Sequence, residues 1–152
     1  MSKADYKKRF KLVAYTKRWA VTMTKVRIRK EVALTPFPRW HFVSFNGPDG
    51  GESRGVVDLI VIRKDHGAAH DGMKRGDTFQ LILIQVKGGN AARPTPEDGK
   101  RLRGVARLHR AHDVLLASWK KGRAVQFFSL RPKAIKGKSD WIEVPDMKVI
   151  FC

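Results

Sequence analysis

The sequence predicts an α/β fold: one domain with a mixed central β-sheet flanked by helices. Two apolar runs rich in β-branched residues, 56–63 and 79–87, have the length and composition of buried strands. A helix with clear start signals follows the second run, and more strand candidates follow that helix. The length of 152 residues fits a single domain spanning 1–152.

The elements are expected in the order helix, three strands, helix, two strands. The first is a basic helix within 4–33, which ends before Pro36 and Pro38 because proline cannot continue a helix. A turn is expected at 47–51 and a polar connection at 65–77. The strand candidates are 39–46, 56–63, 79–87, 113–118 and 124–130.

The sequence contains clear signals for the start of the second helix. Thr95 is expected as the N-cap, Pro96 as the first helical residue, and the acidic Glu97 and Asp98 lie at the positive end of the helix dipole. The helix is expected to run to about Ala111, with apolar spacing at 102, 105, 106 and 109 along one face.

The charge is strongly positive and unevenly distributed. Lys and Arg number 32 against 14 Asp and Glu, which gives a formal net charge of +18. Residues 1–30 and 100–136 each hold 11 basic residues and one acidic residue, whereas 31–99 holds 9 of the 14 acids. Such an excess favours a polyanionic partner, and nucleic acid is the commonest one. Solvated basic faces on two helices are the alternative, which the sequence arrangement alone does not exclude.

The sequence argues against several classes of protein. No apolar run reaches the roughly 20 residues that span a bilayer, and residues 1–9 are too polar for a signal peptide. The single Cys152 excludes an internal disulfide framework and a cysteine-based zinc site. No phosphate-binding loop indicates a nucleotide cofactor, and no nucleophile elbow indicates a triad hydrolase. The expected location is the cytoplasm, on the nucleoid when bound to DNA.

Three polar residues interrupt the apolar strands. Asp58 lies within the first run, where a buried carboxylate costs several kcal/mol unless it is paired or bound to a cation. Gln85 and Lys87 are two apart and therefore project from the same face of their strand. If the two strands pair as a hairpin, the three side chains can converge at one end of the sheet.

Those residue types suit the hydrolysis of phosphodiesters. Mg²⁺ or Mn²⁺ prefers oxygen ligands, which Asp58, the Gln85 amide and the Val86 carbonyl can offer. Such a metal polarises a phosphate and activates water, while Lys87 would stabilise the developing negative charge. A buried Asp58–Lys87 ion pair, with Gln85 hydrogen-bonded beside it, is the structural alternative, and the spacing does not separate the two.

The pattern G-V-V-D-L-I-V at 55–61, followed by L-I-Q-V-K at 83–87, resembles the PD-(D/E)XK nuclease superfamily, which has the restriction-endonuclease-like fold. The resemblance covers a core of about 31–130, preceded by the basic helix and followed by a C-terminal extension, 131–152. The run 52–55 is similar to archaeal-type Holliday junction resolvases and Mrr-like enzymes. The helix after 87–89 is similar to that of VRR-type nucleases.

The resemblance implies a role for each matching residue. Asp58 would be the metal-binding aspartate, Gln85 the second motif position and Lys87 the catalytic lysine. Glu31 would be the additional helical glutamate of resolvase-like members. Gln85 replaces the usual acid and removes a negative charge at the metal, which Glu31 or Glu52 would have to restore. Val57 stands at the position of the proline in the superfamily's name.

The function implied is a Mg²⁺- or Mn²⁺-dependent endonuclease of DNA, directed by structure rather than sequence. It would be a junction resolvase or an enzyme of DNA repair or recombination, acting as a homodimer. The alternative is a basic nucleic-acid-binding protein with the same fold and no catalysis, and RNA stays open as the partner.

A row of cations on the second helix is expected to follow a phosphate backbone, because its members lie opposite the apolar stripe. They are Lys100, Arg103, Arg107 and Arg110. Further candidates for phosphate contacts are Arg93, Lys7, Lys8, Arg9 and Lys11.

Overall fold

A six-stranded mixed sheet forms the centre of the fold, in a computed structural model that describes residues 1–33, 37–45, 54–67 and 71–152. The strands lie in chain order, β1-β2-β3-β4-β5-β6. Neighbours are antiparallel except β3 and β4, which are parallel and are connected through α2. The elements are α1 (Lys3–Val32), β1 (His41–Ser44), β2 (Leu59–Lys64), β3 (Phe79–Gly88), α2 (Pro96–Leu108), β4 (Asp113–Trp119), β5 (Gln126–Leu130), β6 (Trp141–Glu143) and α3 (Lys148–Phe151).

All five predicted strands are present, and their limits differ from the predicted ones by no more than three residues. The predicted turn at 47–51 lies outside the described residues. β6 and α3 were not predicted, because three or four residues are too few to show a periodicity. None of the helices in the described ranges is long and apolar enough to cross a membrane.

The two apolar runs form the antiparallel neighbours β2 and β3, with Leu59 opposite Ile84. β2 begins three residues later than predicted, and the backbone of Asp58 explains why. Its N–H donates to the Ile84 carbonyl of β3 (3.0 Å), whereas its carbonyl accepts from Phe45 N–H beyond β1 (3.1 Å). A residue in a regular strand directs both groups to the same neighbour. Asp58 therefore lies at a break in the pleat.

The two faces of the sheet are covered by different helices. On one face Ala20 and Ile28 of α1 pack with alternate residues of the strands, among them Ile84 and Val86. On the other face Leu102 of α2 packs with a second set of strand residues, which includes Leu83. Ala20 and Ile28, before residue 31, and Trp141 and Phe151, after residue 130, are buried members of these clusters.

The predicted start of α2 is confirmed in detail. The Thr95 hydroxyl accepts from Asp98 N–H (3.2 Å), and the Asp98 carboxylate accepts from Thr95 N–H (2.9 Å). The end of α2 comes earlier than predicted, because Arg110 adopts a left-handed φ of 51° that no helix continues. His109 is consequently exposed, although the spacing placed it on the core face.

Helix α1 touches the carboxyl end of β3 at Gly88. A Cβ atom on Gly88 would lie 2.9 Å from the Ala20 Cβ and 3.1 Å from the Thr16 carbonyl oxygen. Real Cβ atoms essentially never come within 3.0 Å of another atom, so a side chain at this position would force the helix and the strand apart. This contact places Lys17, the residue after Thr16, beside the end of the sheet.

We predict that Gly88→Ala lowers the free energy of unfolding by about 1–3 kcal/mol, because the added methyl group overpacks the α1–β3 contact. Urea denaturation followed by circular dichroism measures this change. Gly104→Ala is the matched control: a Cβ there meets no atom within 4 Å, so stability should stay constant or rise by up to about 1 kcal/mol. Equal stability of wild type and Gly88→Ala would contradict the close contact.

Candidate metal and nucleic-acid site

The carboxylate of Asp58 is buried and has two partners. Its Oδ2 accepts a hydrogen bond from Val86 N–H of β3 (2.8 Å). Its Oδ1 lies 2.9 Å from the Nζ of Lys17 on α1. The residue is 4% exposed, so the ammonium of Lys17 supplies the charge compensation that a buried carboxylate requires.

The ion-pair partner of Asp58 is thus Lys17, whereas the structural alternative considered from the sequence was Lys87. The break in the pleat accounts for the difference, because it turns the Asp58 side chain towards the α1 face of the sheet. Lys17 lies 41 residues before Asp58 in a basic helix, and no local pattern distinguishes it from the other cations of α1. Sequence reasoning had no signal with which to find it.

Gln85 and Lys87 lie on the α2 face of β3, as the alternation with Leu83 requires. Gln85 is 6% exposed, and its Oε1 is a buried acceptor with no hydrogen-bond partner among the described residues. Lys87 is half-buried near the first turn of α2. The Thr95 backbone N–H lowers the pKa of the Asp98 carboxyl below its usual value, and the nearby Lys87 ammonium lowers it further.

The structure does not bring Glu31 to this site. Glu31 lies on α1 fourteen residues beyond Lys17, which is about 21 Å along a helix. Its carboxylate pairs with Arg27 one turn earlier, and its backbone carbonyl faces the Cys152 thiol (3.8 Å). The suggested ligand role of Glu31 is therefore wrong for this arrangement: α1 runs across the sheet and carries its last turn to the opposite end. Glu52 lies outside the described residues.

The donor atoms at the end of β3 fit a hard divalent cation in kind. The main support is the Gln85 Oε1. It is a buried oxygen acceptor without a hydrogen-bond partner among the described residues, and a bound cation would satisfy it. Asp58 adds a carboxylate, and the Val86 carbonyl faces the same edge of the strand as its N–H. In the ranges that the structure describes, no three His, Cys, Asp or Glu residues cluster as a metal site. A cation here would rest on one described carboxylate and neutral oxygens.

Most of the cations expected to bind phosphate are exposed. Arg93 is exposed with its guanidinium 4.5 Å from the centre of the Phe128 ring, which fixes its direction. The other exposed members are Lys7, Lys8, Arg9 and Lys11 on α1 and Lys100, Arg107 and Arg110 on or after α2. These side chains remain predicted phosphate contacts.

Arg103 is the exception, since its guanidinium is used inside the protein. It lies 2.6 Å from the Asp140 carboxylate and donates to the Arg131 carbonyl (2.8 Å), with only 14% of the side chain exposed. Arg103 therefore ties α2 to the connection between β5 and β6. The helical spacing placed it in the cationic row, and Asp140 is too distant in sequence to have shown otherwise.

The outward face of α1 adds aromatic side chains to the cations. Trp19 is 41% exposed and meets Tyr15 edge to face, with ring centres 6.2 Å apart. Trp40 and Trp141, by contrast, are buried in the core. Exposed aromatic rings between cations suit contact with nucleic-acid bases and phosphates together.

No protein-family model matches the chain, and no curated protein matches it. Among solved structures, the chain is similar to Hjc, a Holliday junction resolvase from the archaeal hyperthermophile Archaeoglobus fulgidus. The TM-score is 0.39 and the identity 15%, over 84% of this chain and 89% of that one. A similarity of this size assigns no activity.

We predict that Arg103 and Arg107, which lie one turn apart on α2, have different roles: Arg103 stabilises the fold, and Arg107 contacts DNA. Arg103→Met leaves the Asp140 carboxylate without its cation and lowers the free energy of unfolding by about 2–4 kcal/mol. Arg107→Met changes stability by less than about 0.5 kcal/mol, but weakens DNA binding and reduces the salt slope by about one. Urea denaturation and fluorescence anisotropy at several salt concentrations measure both effects. If Arg103→Met kept full stability and weakened binding like Arg107→Met, Arg103 would be a phosphate contact after all.

Proposed function

We propose that this chain is a divalent-metal-dependent nuclease that hydrolyses phosphodiester bonds in DNA. The observation that carries the proposal is the hydrogen bond from Val86 N–H to Asp58 (2.8 Å). It holds a buried carboxylate against the strand position between Gln85 and Lys87. Gln85 and Lys87 flank Val86 on β3, and the amide oxygen of Gln85 is buried without a hydrogen-bond partner among the described residues.

Each of these groups has a distinct task in the proposed reaction. Asp58, Gln85 Oε1 and the Val86 carbonyl would hold Mg²⁺ or Mn²⁺, which when bound polarises a phosphate and lowers the pKa of a coordinated water. Lys87, half-buried at the start of α2, would stabilise negative charge that develops on the phosphate. The N-terminus of α2 beside it adds the positive end of a helix dipole.

The charge distribution supports nucleic acid as the substrate. The positive charge is concentrated in residues 1–30 and 100–136, and most of the Lys and Arg side chains in these two stretches are exposed. Such side chains contact phosphates and carry no sequence information, so we propose endonucleolytic action directed by DNA structure. A junction resolvase or another enzyme of recombination or repair would act this way, and we propose that the chain cuts both strands as a homodimer.

One observation favours a second candidate, a nucleic-acid-binding protein without catalysis. The Asp58 carboxylate is already neutralised by Lys17, and the usual second acid is replaced by Gln85. A protein that had lost its metal would need such a neutralising contact. Metal dependence separates the two candidates, whereas DNA binding and its salt dependence do not.

A cleavage assay tests the proposal directly. Supercoiled plasmid, linear duplex, single strands, a four-way junction and RNA are incubated at low salt with Mg²⁺, Mn²⁺ or EDTA. We expect metal-dependent cutting of DNA that falls by at least about 100-fold in Asp58→Asn and Lys87→Met. Asp71→Asn and Lys148→Met, which remove one exposed charge of each sign outside the predicted phosphate contacts, should retain activity. Binding without cutting under every metal condition, unchanged by Asp58→Asn and Lys87→Met, would favour the second candidate.

We also predict that Gln85→Glu tightens the binding of Mn²⁺, because a carboxylate replaces a neutral amide of the same size at a buried ligand position. Isothermal titration calorimetry should show a dissociation constant lower by about tenfold, equivalent to about 1.4 kcal/mol. The same variant should cut at lower metal concentration. Unchanged or weaker Mn²⁺ binding would mean that Gln85 is not a metal ligand.

A further inference from the structure

We infer that Lys17 is an exchangeable counter-ion of Asp58, which a divalent cation must displace in order to bind. The inference rests on the proposed metal site and adds to it a residue from α1 that controls its occupancy. The contact that carries it is the 2.9 Å distance between Lys17 Nζ and Asp58 Oδ1.

Two features of the surroundings of Asp58 favour this exchange. Oδ2 is committed to the backbone of β3 through Val86 N–H, so Oδ1 is the oxygen that faces a mobile partner. The Asp58 side chain is only 6% exposed. A carboxylate so deeply buried requires one cation beside it, but an ammonium and a divalent ion on the same oxygen repel each other strongly in this low-dielectric position.

The Lys17 side chain can move away from Asp58 while the backbone of α1 stays in place. The backbone of α1 is fixed on β3 by the contacts of Thr16 and Ala20 with Gly88. Lys17 itself is 21% exposed, and its flexible four-carbon stem can carry the ammonium outward to water. Exchange is therefore a rotation of one side chain about a fixed backbone. In the absence of the cation, Lys17 keeps the buried carboxylate compensated and the end of the sheet folded.

Calorimetry with Mn²⁺ alone, at constant ionic strength and without DNA, tests the exchange. Lys17→Met keeps an unbranched side chain of high helix propensity and removes the competing charge. Its dissociation constant should be about tenfold lower than that of wild type. Lys17→Arg keeps the charge, and Arg18→Met removes the adjacent exposed cation of α1. Both should bind Mn²⁺ within about twofold of wild type.

A second measurement uses the unmodified protein and does not depend on how a variant folds. Lysines are acetylated briefly with and without Mg²⁺, and each site is quantified by peptide mass spectrometry. Lys17 should react several-fold faster with Mg²⁺ because its ammonium has been released from Asp58. Lys30, exposed at the far end of the same helix, should react equally in both conditions.

The outcomes separate this inference from the proposed function. Equal Mn²⁺ affinity of wild type and Lys17→Met, or unchanged Lys17 acetylation despite measurable metal binding, would overturn the exchange and leave the nuclease proposal standing. Weaker binding by Lys17→Met would also overturn it. Absence of Mn²⁺ binding in wild type, Lys17→Met and Gln85→Glu alike would instead remove the metal site itself.

Discussion

The hydrogen bond between the Asp58 carboxylate and Val86 N–H is the interaction on which the rest of the site depends. A buried backbone N–H needs a partner, and at this position β3 extends beyond the regular pairing of β2. Asp58 supplies the missing acceptor with its side chain. The consequence is a negative charge inside the sheet, which Lys17 of α1 compensates. That pairing in turn requires α1 to lie on the end of β3, where Gly88 permits the contact.

Much of this arrangement is predictable from local sequence. The β-branched runs indicate β2 and β3, Thr95 and Pro96 indicate the start of α2, and a carboxylate within an apolar run indicates a buried and partnered acid. These signals are local because they depend on the period of a strand or on the first turn of a helix. The two-residue spacing of Gln85 and Lys87 predicts their shared face, and the structure confirms it.

The contacts between distant elements are not predictable in this way, because a local pattern does not specify which turn of a helix contacts which end of a strand. Lys17 and Glu31 are both charged residues of α1, and only the direction of the helix across the sheet puts Lys17 beside Asp58. Arg103 fits the cationic row by its spacing. Its partner Asp140 is 37 residues later in the sequence, and only the fold brings the two side chains together. The break in the pleat at Asp58 likewise follows from hydrogen bonds to both neighbouring strands.

The charges around Asp58 have a consequence for the order of events in the proposed nuclease. In the described part of the chain, Lys17 of α1 pairs with the buried Asp58 at this end of the sheet, and Lys87 lies half-buried near the start of α2. In the proposed nuclease, the ammonium groups of Lys17 and Lys87 would attract a phosphate to this end of the sheet. A bound phosphate would bring negative charge to the site and draw the ammonium of Lys17 away from Asp58. Since such coupling is reciprocal, nucleic acid and cation would each strengthen the binding of the other. In the proposed nuclease, the neutral amide of Gln85 would add no negative charge at the metal, so metal loading would depend on bound substrate.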